Sequence, residues 1–171
     1  MISVPRGKFL AGEMNRTGFA EAFEIDVYPV TNRQYQKFRD ATGHAPLPEH
    51  WEDGAYPIGK ADHPVVNVNF EDADAFAKWT GKRLGTEQEW EKAARGPNGR
   101  VYPWGNTFNR QNCNNAEGSR HDTAEVTGYP NGASQYGVYD LCGNVWEWTN
   151  TNVFPDREDA KVLRGGSWAS P

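Results

Sequence analysis

The stretch Asp140–Asn150 reads DLCGNVWEWTN, and the chain's last nine residues, Leu163–Pro171, read LRGGSWASP. The first packs two carboxylates, a Gly-Asn pair and two tryptophans into one short stretch. Between Asp140 and Glu147 lie two side-chain carboxylates and the backbone carbonyls of Gly143 and Val145, and a turn at Gly143 can gather these oxygens around one point. Hard cations such as calcium take six to eight oxygen ligands of this kind, at about 2.3–2.6 Å. An Asx-turn network, in which the same side chains bond only to backbone, is the alternative reading. Upstream, NCNNAEGSRHD (112–122) offers Asn114, the Asn115 carbonyl, Glu117 and Asp122 as further oxygen donors.

The rest of the chain sets bounds around this segment. Its 171 residues fit one domain with a sizeable core. Hydrophobic content of 37% and charged content of 24% are those of a soluble globular protein. A net charge of −5 argues against a nucleic-acid partner, because phosphate binding needs clustered cations. The chain has no apolar run near the roughly 20 residues of a membrane span, so no membrane partner is expected. The first residues carry no export signal, which makes the cytoplasm the default expectation and leaves the compartment otherwise unknown.

Helical signals are confined to the first half. TNRQYQKFRDATG, NFEDADAFAKWTG and TEQEWEKAARG each open on a capping box: Thr31 with Gln34, Asn69 with Asp72, Thr86 with Glu89. Each closes on a glycine, at Gly43, Gly81 and Gly96. Phe76, Trp79, Trp90 and Ala94 fall at helical spacing and are expected in the core. The carboxylates of the first turns suit the helix dipole and need no catalytic role. SVPRGKFLAGE and AFEIDVYPVT read as strands separated by EMNRTG. After Gly96 the helical period vanishes, leaving short strands and turns. A loop region this long, studded with Trp and Tyr, is held together by something specific.

Nucleophilic catalysis finds little support. None of the four histidines lies near a cysteine in sequence, and no G-x-S-x-G elbow, Walker or Rossmann pattern is present. The two cysteines, Cys113 and Cys142, have no zinc-site spacing, and remain open to being one disulfide or two free thiols.

Taken in order, MISVPRGKFLAGE, YPVTNRQYQKF, HPVVNVNFEDADAFAKWTGKRLGTEQEWEKAARG, YPWGN, YGVYDLCGNVWEW and VLRGGSW resemble the formylglycine-generating enzyme family, the sulfatase-modifying factor domains. One departure is Gly85 in RLGTEQEW, where a proline is usual. The resemblance implies an α+β, C-type-lectin-like fold, loop-rich, with three short helices and small antiparallel sheets, as a single domain over 1–171. The family's closing segment would lie past Pro171. It implies a structural calcium held by the Asp140 side chain, the Gly143 and Val145 carbonyls and the Glu147 side chain, and a second, less completely matched site at Asn114 and Asn115.

The family's enzymes oxidise a sulfatase cysteine to formylglycine with molecular oxygen and copper held by two cysteine thiolates, and soft thiolates suit Cu(I). The first of those cysteines corresponds to Ser170 here, and the second would fall past Pro171. No catalytic residue and no copper are therefore expected. The reading favoured is a non-catalytic domain that binds a protein or small ligand at its C-terminal face through Arg164, Ser167 and Trp168, as in the variable proteins of diversity-generating retroelements or in accessory domains. The alternatives are a formylglycine-generating oxidase and an interaction domain without a small ligand.

Overall fold

The computed structural model describes residues 1–118 and 120–171; Ser119, within the 112–122 stretch, lies outside the described residues. Four short strands come first: β1 (Ile2–Val4), β2 (Gly7–Ala11), β3 (Arg16–Ala20) and β4 (Phe23–Ile25). Three helices follow, α1 (Asn32–Thr42), α2 (Phe70–Trp79) and α3 (Glu87–Arg95), and the chain closes with β5 (Glu147–Phe154) and β6 (Arg157–Arg164). The strands pair as three separate antiparallel ribbons, β1 with β4, β2 with β3, and β5 with β6. Between α3 and β5 the described residues contain one 3₁₀ turn, Arg110–Asn112, and otherwise irregular chain.

All three capping boxes form. The Thr31, Asn69 and Thr86 side chains accept from the N–H groups of Gln34, Asp72 and Glu89, whose side chains in turn accept from the cap N–H groups. The carboxylates of Asp72 and Glu89 are thus occupied with helix initiation. The amino-terminal strands differ from the expectation. The first apolar stretch breaks at Pro5–Arg6 into β1 and β2, and β3 starts inside the segment read as a spacer. Gly18 makes this hairpin possible, since a Cβ there would stand 2.9 Å from the Phe9 ring.

Two cores result. One gathers Val4, Trp90, Ala93, Ala94, Val138 and Leu141 beneath β1 and β4. The other joins Tyr35, Phe38, Trp51 and Phe76 between α1 and α2. Trp79, expected inside, is 44% exposed and packs at a tilt against Phe38 and Phe76 from the rim, because α2 ends there. Polar residues on α3 fasten it to the strands. The buried Lys92 ammonium donates to the Pro5 and Gly7 carbonyls, closing the gap between β1 and β2. Glu91 pairs with Arg95 and accepts from the Gly12 N–H at 2.8 Å.

Among the described residues Tyr35 is the largest fully buried side chain, and its hydroxyl has no hydrogen-bond partner there. Burial pushes its pKa up to about 12. The ring therefore stabilises the fold and the hydroxyl does not. Tyr35→Phe is expected to leave the urea midpoint unchanged or raise it, while Tyr35→Ala is expected to cost about 3–5 kcal/mol.

Candidate functional site: a buried carboxylate pair on a left-handed turn

The turn after Tyr139 bends through three residues of positive φ, Asp140 (58°), Gly143 (103°) and Asn144 (63°). Non-glycine residues pay for that conformation, and Asn and Asp tolerate it best. Gly143 is required for a further reason: a Cβ there would collide with the Asn114 backbone. The turn is clasped from both sides. The Asn144 N–H donates to the Asn114 carbonyl at 2.7 Å and the Gly143 N–H to the Gly165 carbonyl at 2.7 Å. The Trp168 N–H donates back to the Asn144 carbonyl at 2.9 Å.

Asn144 is fully buried and its amide is saturated. Oδ1 accepts from Asn114 Nδ2 (3.1 Å) and the Ala124 N–H (2.9 Å), while Nδ2 donates to the Ala124 carbonyl (3.2 Å) and to Asp140 Oδ2 (3.1 Å). One side chain therefore ties three loop segments together. The sequence reading singled out the residues on either side of Asn144 and missed it; the Gly-Asn dipeptide within an otherwise aromatic and acidic run was the available signal.

Asp140 and Glu147 are brought together by this turn. Glu147 opens β5 opposite Arg164 in register, and Trp90 Nε1 of α3 donates to its Oε2 at 3.0 Å. Its other oxygen, Oε1, is buried with no partner among the described residues. Burial pushes Glu147 up to about 8, the Trp90 bond opposes this, and the nearby Asp140 charge adds to it. Burial likewise pushes Asp140 to about 6 against the Asn144 hydrogen bond. No salt bridge reaches either carboxylate among the described residues. Arg164 points elsewhere, lying over the Trp90 ring at 5.2 Å and pairing with Glu87 at 3.5 Å. Two buried acids with a stranded oxygen and no counter-charge fit a cation of the hard, oxygen-binding kind. Among the described residues no cluster of three or more His, Cys, Asp or Glu offers an alternative metal centre.

The second oxygen set is more committed. Asn114 Nδ2 is shared between the Asp122 carbonyl (2.9 Å) and Asn144, and the Asn115 carbonyl accepts from the Gly118 N–H. The Asp122 carboxylate is held by Lys60 Nζ at 2.6 Å and by the Thr123 N–H. Among the described residues the buried Asn115 Oδ1 has no partner.

At the C-terminal face, Arg164 lines a cavity of about 300 Å³ together with Trp146, Val101, Pro103, Cys142 and the Gly165–Gly166 turn. Ser167 and Trp168 hold the adjoining turn: Ser170 Oγ accepts from the Ser167 N–H at 3.0 Å, and the Trp168 backbone reaches Asn144. The two indoles of the acidic stretch part company. Trp148 donates to the Val68 carbonyl and packs edge-on to Phe70, whereas Trp146 is 52% exposed.

The raised pKa of Glu147 has a signed consequence in metal-free protein. The native state holds its proton more tightly than the unfolded chain between the ordinary value of 4.5 and about 8. The stability contributed is full below 4.5 and is lost as pH rises through about 8. Urea unfolding in chelator from pH 5 to 8 is expected to show stability falling, by up to about 1.4 kcal/mol per pH unit from this group. Glu147→Gln is expected to flatten that slope; an unchanged slope contradicts the assignment.

Comparison with known proteins gives the family and the fold. The model of the sulfatase-modifying factor enzyme 1-like domain matches residues 1–171. The inactive C-alpha-formylglycine-generating enzyme 2 of Mus musculus is 36% identical, covering 98% of this chain and 74% of its own. That alignment spans 228 positions, so the relative carries insertions this chain lacks. The formylglycine-generating enzyme of Thermomonospora curvata is 34% identical over 86% of this chain and 70% of its own. Among solved structures, Treponema denticola variable protein 1 superposes with a TM-score of 0.73 at 21% identity, covering 100% of this chain and 84% of that one. CarF superposes at 0.78 and 21% identity, with coverage of 99% and 87%. With its six ordered motifs, three capped helices and left-handed acidic turn, this chain belongs to the family of sulfatase-modifying factor enzyme 1-like domains and has the α+β, C-type-lectin-like fold of formylglycine-generating enzymes.

Proposed function

We propose that this domain is a non-catalytic binding module whose loop half is organised by calcium, and that it receives a protein or small ligand at its C-terminal face. The observation that carries the reading is Ser170, which stands where the family's first copper-binding cysteine belongs. A hydroxyl is a poor substitute for thiolate toward Cu(I). Ser170 has structural work instead: its Oγ accepts from the Ser167 N–H and contacts Ser167 Oγ at 3.2 Å, and its carbonyl accepts from the Ala116 N–H at 2.9 Å. The 36% identity to a relative named as inactive points the same way.

Calcium supplies the positive charge that the Asp140 and Glu147 carboxylates lack, with the Gly143 and Val145 carbonyls completing the oxygen set and Asn114 and Asn115 as a second, weaker set. Arg164, on the cavity of about 300 Å³, and Ser167 and Trp168, beside it, form the ligand face. Its exposed Trp146 suits a ligand with an apolar or aromatic surface.

The second reading, a formylglycine-generating oxidase, draws on the 34% identity to the Thermomonospora curvata enzyme. One assay separates the two. Incubated with Cu(I), oxygen and a cysteine-containing sulfatase peptide, the protein is expected to form no aldehyde above buffer background. Catalytic turnover of the peptide contradicts the binding reading.

A further inference from the structure

The same backbone approach that builds the acidic turn also pairs the two cysteines. Asn114 and the Gly143–Asn144 peptide are in direct contact, through the 2.7 Å hydrogen bond and through the space where Gly143 has no Cβ. Cys113 and Cys142 are the residues immediately before these two, and each thiol is the strongest single influence on the other's acidity. Both are free. Their surroundings differ. Cys113 is 4% exposed, whereas Cys142 is partly exposed and forms part of the wall of the 300 Å³ cavity beside Arg164 and Trp146. A reagent entering that cavity meets Cys142 first and has Cys113 directly behind it.

We infer that Cys113 and Cys142 are a dithiol modification site, which a small disulfide of the oxidised-glutathione class closes into an intramolecular bridge. Cys142, as thiolate, attacks one sulfur of the reagent; the reagent's S–S bond breaks, the first small thiol leaves and a mixed disulfide remains on Cys142. Cys113, losing its proton, attacks the Cys142 sulfur and expels the second small thiol. Two protein thiols are oxidised by two electrons, one small disulfide is reduced to two thiols, and the protons end on the leaving groups. The bridge joins the 113–115 segment covalently to the turn that Asn144 already holds by hydrogen bonds. It therefore reinforces an existing contact between the two backbone segments. A pair of inert, small apolar residues is the competing account of the same two cysteines.

The test uses the whole reduced chain, treated with oxidised glutathione in native buffer, then denatured, alkylated and weighed by mass spectrometry. The expected product carries neither alkyl groups nor glutathione, and its Tm is higher than that of the reduced chain by roughly 5–15 °C. Cys113→Ser is expected to retain glutathione on Cys142, because nothing is left to expel it. Two alkylated thiols after treatment, or glutathione retained on the wild-type chain, overturns the inference. None of these readouts depends on metal or on oxidase activity.

Discussion

The buried amide of Asn144 does for the helix-free half of this domain what backbone ladders do elsewhere. Irregular chain leaves its N–H and C=O groups without systematic partners, and burying them unpaired costs about 1–3 kcal/mol each. Asn144 meets that demand from one position, bonding Asn114, Ala124 and Asp140 through its side chain and Asn114 and Trp168 through its backbone. It can do so only from a left-handed conformation, with a glycine before it to let the Asn114 backbone approach. Removal of either feature separates the loop layers and leaves the amides of all of them unsatisfied.

What the knot gathers is electrostatically incomplete. Asp140 and Glu147 are drawn out of water and toward each other, yet neither gains a cationic side chain. The nearby Arg164 is spent on Trp90 and Glu87. Helix α3 contributes a neutral donor, the Trp90 indole, to one oxygen of Glu147 and leaves the other stranded. An isolated fold gains nothing from such an arrangement, since well-packed apolar residues of similar volume serve stability as well or better. On the calcium reading proposed above, a divalent ion changes the sign of that balance, and the C-terminal face is coupled to it because the Gly165 carbonyl and the Trp168 N–H grip the same turn.

The legible parts of the sequence were those governed by local rules. Each helix start was readable because a capping box is a three-residue interaction with a fixed spacing, and all three formed. The fold class was readable from six motifs in order. Positions decided by distant packing were not. Trp79 sits at core-like spacing but faces the rim, since α2 stops there. The strand β3 was hidden in a polar segment whose pairing depends on Gly18 admitting the Phe9 ring. The oxygen donors of the acidic turn could be named from sequence, but Asn144 could not be ranked above them, because its partners are 20 and 30 residues away. For the same reason the proximity of Cys113 and Cys142 became visible only in three dimensions.

The central claim is that the Asn144 turn holds two acids around the place of a cation. Titration calorimetry of the chelator-treated, dialysed protein with calcium measures this directly. The account predicts saturable binding at Asp140 and Glu147, with loss of that binding event in Glu147→Gln while the variant stays folded by circular dichroism. No heat of binding in the wild type, or undiminished binding in the folded variant, contradicts it.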